Sequence, residues 1–306
     1  MLPENGSGNE SKCRRSQVAQ GKEARSIPPW AAGLIARLAQ DRPPVVTRGD
    51  LARYLAELED ERDLDPTVRM LQQLGWLATL HVKGVWAFVP PGESEPTDPY
   101  LDLRAWRARE PDAVFALAGE AAAWHLGYLP RRFEGPTALW LPSGARVPHG
   151  LRSHVSLVRV DFPVQDGRGL GPSPRLLRKK GLDLTAWASG LPAIGPDALL
   201  VQLAARPGSF RAWADLIGQL DVLAADCDLE RLTELLGGQS GSAWQRAGYL
   251  LERGDRRDEG LSLLERRPNP RMPTVTLGEG PTSMWSSEFK VNDRLIAPLQ
   301  EQLGKA

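Results

Sequence analysis

Cysteine is nearly absent: Cys13 and Cys227 are the two in 306 residues, too few for a disulfide framework or a Cys-rich metal site. Long apolar runs are missing as well. The most apolar stretch, Ala198 to Ala205, is interrupted by Gln202, and nothing approaches the ~20 apolar residues of a membrane span. The N-terminus, MLPENGSGNESKCRRSQ, carries no apolar core of the kind a secretory signal needs. A reducing cytoplasm is the expected setting, with no membrane partner. An excess of either charge is also missing, since 38 basic residues meet 38 acidic ones. Residues 1–27 carry five basic and three acidic groups, residues 28–96 seven and ten, and the remainder 26 and 25. No segment is a strongly basic nucleic-acid sponge, so any DNA binding must come from locally placed side chains. Lysine is scarce at seven against 31 arginines, the usage expected of a GC-rich coding sequence.

The hydrophobic fraction of 42% and charged fraction of 25% are those of packed globules. The length fits two domains at about 150 residues each. Residues 1–26 hold almost no bulky apolar groups and cannot offset their ordering entropy, which predicts a disordered tail. From Ile27 the pattern changes. Trp30, Leu34, Ile35 and Leu38 form a helix face ending near Asp41-Arg42-Pro43-Pro44, followed by the short extended Val45-Val46. Thr47 and Asp50 have the spacing of a capping box for a second helix with Leu51, Tyr54 and Leu55 inward. Asp65-Pro66 reads as the N-cap and first residue of a third helix, with Val68, Leu71 and Leu74 inward and Gly75 as its stop. Two β-rich runs, Trp76–Leu80 and Val85–Val89, then flank a Gly-containing turn and read as a hairpin.

Helix, short strand, helix, helix and hairpin over 27–92 is the order of a winged helix-turn-helix; a three-helix bundle with an attached hairpin gives a similar pattern. The stretch 93–99 reads as part of a Pro-rich linker. Beyond it, 100–306 reads as a helix-rich mixed domain, so the whole is an α/β protein of the α+β type. Helices are expected across Leu103–Trp106 and from Ala113 to Leu126, strands at Thr137–Leu141 and His154–Val160, and a Gly/Pro loop at Pro163–Pro174. Helices follow at Leu182–Ser189, Pro196–Ala205, Phe210–Ala225, Leu229–Leu236 and Ala243–Leu251. Short extended pieces are expected around Met272–Leu277 and Ser286–Val291, and a last helix at Asp293–Leu303.

Enzyme signatures fail one by one. Gly167-Arg168-Gly169-Leu170-Gly171 resembles a phosphate loop, but Pro172 and Pro174 stand where helix N–H groups are required. Gly241-Ser242 with Asp255 suggests metal-dependent nucleotidyl transfer, which needs two carboxylates close together; Asp255, Asp258 and Glu259 read instead as a charged turn. His149 and His154 lack further ligands at zinc spacing. His125, beside Trp124, reads as a packing histidine. No catalytic residue, metal or cofactor is called for.

The winged-helix candidate does present a usable surface. Such a third helix enters the major groove by its N-terminal part, and Thr67, Arg69, Gln72 and Gln73 are expected to face outward as base readers. Arg can chelate guanine and Gln adenine. Arg48 and Arg53 on the preceding helix, with His81 and Lys83 at the wing tip, are expected to meet the DNA backbone. Arg175, Arg178, Lys179 and Lys180 form a basic stretch expected to add a secondary DNA contact. The rival classes are a protein-interaction module whose winged helix does not bind DNA, and an enzyme without a recognised signature in the second domain.

Three stretches carry a family resemblance. The hairpin Gly75-Trp76-Leu77…Lys83-Gly84-Val85-Trp86-Ala87 resembles the winged-helix end of AbiEi-type antitoxins, components of type IV toxin–antitoxin pairs. Leu117-Ala118-Gly119-Glu120-Ala121-Ala122-Ala123-Trp124-His125-Leu126-Gly127-Tyr128 resembles that family's "S-x-x-S/A-A-L-x-x-H-G-L" segment without its serines, and Trp244 to Glu252 its "R-L-G-Y-L-L-E" helix, with Ala247 for the usual Leu. The likeness runs from Ile27 to the C-terminus and is especially close to a two-domain mycobacterial member. It implies a non-catalytic, promoter-binding antitoxin that represses its own operon and counters a nucleotidyltransferase toxin encoded beside it.

Overall fold

The computed structural model describes residues 25–142, 144–162 and 190–304. The tail up to residue 24, the Gly/Pro loop, the basic stretch Arg175, Arg178, Lys179 and Lys180, and the expected helix Leu182–Ser189 lie outside the described residues.

A 3-10 turn, Pro29–Ala31, leads into α1 (Ala32–Asp41), whose Leu34, Ile35 and Leu38 are buried. Strand β1 (Val46–Thr47) ends at the N-cap of α2 (Arg48–Glu57). There the Thr47 hydroxyl accepts from the Asp50 N–H while the Asp50 carboxylate accepts from the Thr47 N–H at 3.0 Å, the expected capping box. Helix α3 (Leu64–Gln73) starts two residues earlier than Asp65-Pro66 suggested: Asp63 is its N-cap, and Pro66 occupies the third helical position. Proline is accepted there because the first N–H groups of a helix have no intrahelical partner. At the other end Gly75 takes φ +75°, with Trp76 N–H donating to Leu71 and Gly75 N–H to Gln72, a Schellman stop. Strands β2 (Leu77–Thr79) and β3 (Val85–Phe88) form the hairpin, and the sheet order is β1-β3-β2, all antiparallel. This is the element order the winged-helix reading calls for.

The expected tail ends too late at 26. The Arg25 guanidinium donates to the carbonyls of Gly75 (2.7 Å), Val89 (2.9 Å) and Pro90 (2.6 Å) and lies 4.4 Å over the Trp76 ring, whose N–H reaches the Ser26 carbonyl. Arg25 and Ser26 therefore belong to the packed unit.

Helix α4 (Leu101–Arg109) packs on β1 and β3. After it the structure departs from the single helical reading of 113–126: β4 (Ala116–Leu117) pairs antiparallel with β5 (Thr137–Trp140), and only then does α5 (Gly119–His125) begin. The turn at Gly119 has φ +51° and brings its N–H to the side chain of buried Gln202 at 2.9 Å. Strand β6 (Val155–Val158) joins β5 in parallel.

Helix α6 (Pro196–Ala205) is buried on nearly all sides and forms the centre of the larger core, as a helix apolar all round must. The expected Phe210–Ala225 helix is broken into α7 (Trp213–Leu216), a 3-10 turn and α8 (Leu220–Ala225). Then come α9 (Leu229–Leu236), α10 (Gly241–Arg253) and α11 (Arg257–Glu265). The last replaces the expected charged turn: Asp258 and Glu259 sit in its first turn, where acidic groups meet the helix dipole. Gly248 and Gly260 let α10 and α11 touch backbone to backbone; a Cβ on either would lie within 3 Å of the other's carbonyl. Strands β7 (Val275–Leu277), β8 (Met284–Ser286) and β9 (Val291–Asp293) form a third sheet in the order β7-β9-β8. Buried Asp293 then accepts from the N–H groups of Leu295, Ile296 and Ala297, each at 2.8 Å, and starts α12 (Ile296–Leu303). Among the described residues no helix is long and apolar enough to cross a membrane.

Candidate nucleic-acid interface

Successive helical residues are turned by about 100°, so the buried side of α3 decides which residues can reach a ligand. Val68 and Leu71 are buried and Leu74 half-buried, which leaves Asp65, Pro66, Arg69, Met70 and Gln73 exposed. Arg69 and Gln73 stand one turn apart at the middle of this face. Arg69 makes no hydrogen bond or ion pair among the described residues, though its charge helps hold the Asp65 carboxyl below the usual carboxylate range, after the larger effect of the Arg48 hydrogen bond.

Thr67 does not belong to that face. Only 4% of it is exposed, and its hydroxyl donates to the Asp63 carbonyl at 2.8 Å. Starting α3 at Leu64 does not alter its direction: Thr67 is next to Val68 and shares the buried side. Gln72 lies at the edge of the face, where its amide donates to the Thr79 hydroxyl on β2 at 2.8 Å. Met70, 44% exposed, was not expected in this set; an apolar residue at an inward-compatible spacing carries no sign of exposure.

Arg48 and Arg53 are exposed and already engaged. Arg48 pairs with Asp65, and that hydrogen bond raises its pKa. Arg53 bridges Asp50 (3.4 Å) and Glu57 (3.2 Å) and lies 4.5 Å over the Tyr54 ring. At Asp50, burial opposes the charge, but hydrogen bonds from Thr47 and the nearby Arg53 outweigh it and hold the carboxyl below its ordinary value. These pairs are exposed, where each contributes little and can be exchanged for another anion.

The wing tip is not free. His81 is clamped: its backbone N–H and its ring Nδ1 both meet the Asp102 carboxylate of α4 at 2.8 Å, and its ring stacks on His154 with 3.6 Å between centroids. Its carbonyl lies so close to Gly150 that a Cβ there would sit 2.2 Å away. His81, expected to meet the DNA backbone, thus has its backbone N–H and Nδ1 engaged by α4 while its side chain stays partly exposed. Lys83 remains exposed, while its carbonyl accepts from the Arg109 guanidinium at 3.0 Å. Asp102, Arg109 and His154 were missed because they lie 21 to 73 residues from His81, beyond any local pattern.

His125 is buried against Tyr100 and Trp124, and burial lowers its pKa. No group of three or more His, Cys, Asp or Glu side chains comes together to hold a metal among the described residues.

None of the functionally curated proteins matches the chain. Residues 113–253, from just before β4 to the end of α10, match the AbiEi antitoxin C-terminal domain. The crystal structure of the RV2827C protein from Mycobacterium tuberculosis is similar over 92% of this chain and 96% of its own, with 49% identity and a TM-score of 0.82. The winged-helix order, the matched segment spanning α5 and α10, and a likeness running over almost the whole chain agree with one another, and the chain belongs to the AbiEi antitoxin family.

Proposed function

We propose that the protein is the DNA-binding antitoxin of a toxin–antitoxin pair, one that binds double-stranded promoter DNA through α3, represses its own operon and opposes a nucleotidyltransferase toxin. Membership of the family supplies the antitoxin role. The observation that supports DNA reading is the outward face of α3, where Arg69 and Gln73 are exposed and Arg69 makes no ion pair among the described residues. Arg69 and Gln73 act as base readers, with Gln72 joining once it leaves Thr79. Arg48, Arg53 and Lys83 neutralise phosphates, for which Arg48 and Arg53 exchange their surface carboxylates.

The acidic turn before α3 (Glu59, Asp60, Glu61, Asp63) favours a second reading, a protein-interaction module, because it repels a polyanion. Binding titrations on operator and scrambled duplex separate the two. Arg69→Ala should cost about 1–3 kcal/mol on the operator and relax preference at one base pair. An unchanged operator-to-scrambled ratio in that variant would remove α3 as the reader and favour the interaction module.

A further inference from the structure

The segment that connects α5 to β5 and the start of α7 form a cleft of about 250 Å3 whose lining includes Arg131, Arg132, Phe133, Glu134 and Asp215. A recess that shares Arg132 and Phe133 with it is walled by Tyr100, Glu120 and Thr137, with about 10 Å3 of free space, the room of one small atom or water. Tyr100 is buried, and its hydroxyl has no hydrogen-bond partner among the described residues, whereas buried phenols are ordinarily paired. Burial pushes this hydroxyl up to about 12, and the Arg132 charge pulls the other way. At neutral pH the recess therefore holds a proton donor with no acceptor among the described residues and a guanidinium within electrostatic reach.

The neighbouring charges are already accounted for. Buried Glu120 accepts from the Arg211 backbone N–H at 2.7 Å and pairs with the Arg211 guanidinium at 3.6 Å. That guanidinium also lies 4.6 Å over the Phe133 ring. Arg131 and Arg132 are exposed and form no ion pair among the described residues. Arg132 is thus free to hold an anion that Arg211 is not.

We infer that the cleft and its recess bind a single carboxylate group, one oxygen accepting from the Tyr100 hydroxyl and the group facing the Arg132 guanidinium. The carboxylates of Glu134 and Asp215 line the same cleft, so a phosphate or a polyanion entering it meets more repulsion than a monoanion does. The carboxylate comes from a small acid or from the C-terminus of a peptide. Neither Tyr100 nor Arg132 belongs to the DNA-reading set, so this site and the DNA reading stand or fall separately.

The test is NMR titration of the full chain with tyrosine rings and arginine side chains labelled, using N-acetylglycine, inorganic phosphate, a short duplex, and one peptide with either a free or an amidated C-terminus. A saturable shift of the Tyr100 ring with N-acetylglycine is expected. Tyr100→Phe should weaken binding roughly tenfold, the worth of one hydrogen bond to a charged group, followed on the Arg132-side resonances. Arg132→Ala, at an exposed position, should abolish the Tyr100 shift with the melting temperature unchanged. Tighter binding of the free-carboxylate peptide than of N-acetylglycine supports the site and assigns a protein C-terminus; equal binding supports it and assigns a small acid. No saturation, equal affinity in both variants, or phosphate or duplex binding as well as N-acetylglycine would overturn the inference.

Discussion

Thr67 and Arg69 lie two positions apart on α3 and do opposite jobs, one held inside by the Asp63 carbonyl and the other presented to solvent. The apolar spacing at Val68 and Leu71 made Arg69 legible, but a short polar residue beside an apolar one can fall on either side, and the hydroxyl's local acceptor decided it. Lys83 tests the division between reading and positioning. A phosphate contact carries no sequence information, so Lys83→Ala should weaken operator and scrambled DNA alike and lower the salt slope by roughly one unit; loss confined to the operator would contradict this. Arg25 is the residue that composition hid most completely. Its neighbours are small and polar, yet it donates to carbonyls 50 or more residues away and covers Trp76. Arg25→Ala should lower unfolding free energy by about 1–2 kcal/mol, read by urea denaturation.

At the level of elements, the capping box and the glycine stop read through from four residues or fewer, the Asp65-Pro66 start of α3 was misplaced, and features that depend on distant pairing were not legible. The Thr47–Asp50 cap and the Gly75 stop are local and appear as expected. The stretch at Ala116–Leu117 looks helical by itself and becomes a strand because β5 offers its edge. Thr47→Ala should cost about 1 kcal/mol of stability, as N-cap losses do. A pH effect accompanies it. Because the folded state holds the Asp50 carboxyl below its ordinary value near 3.8, its contribution is complete above that value and fades as pH falls through the lower folded one. The stability gap between wild type and Thr47→Ala should therefore be wider at about pH 6 than at about pH 3; a gap that widens on acidification would show that Asp50 does not work through Thr47.

Across the whole molecule, the proline-rich stretch between the wing and α4 connects two parts that share a core. Val45, Val82 and Val85 from the N-terminal part pack in one cluster with Tyr100, Leu103 and Trp106. Composition marks such a stretch as a spacer, and only the packing shows that it spaces nothing far apart. Leu103→Ala should cost about 2–5 kcal/mol and speed hydrogen exchange in the wing amides of Leu77–Thr79 as well as in α4. Faster exchange confined to α4 would mean that the wing is stable without its neighbour.

The clamp on the wing tip also sets what can be exchanged between relatives. A residue with a Cβ at position 150 would collide with the His81 carbonyl, and Asp102 meets both the backbone and the ring of that histidine. A chimera that takes a foreign wing must bring α4 and the 149–154 turn with it, or it inherits a mismatched seam. On the proposed reading of α3, the heritable unit of DNA specificity would be longer than that helix, and a new operator preference would be grafted most cleanly at Arg69, Met70 and Gln73, which are exposed.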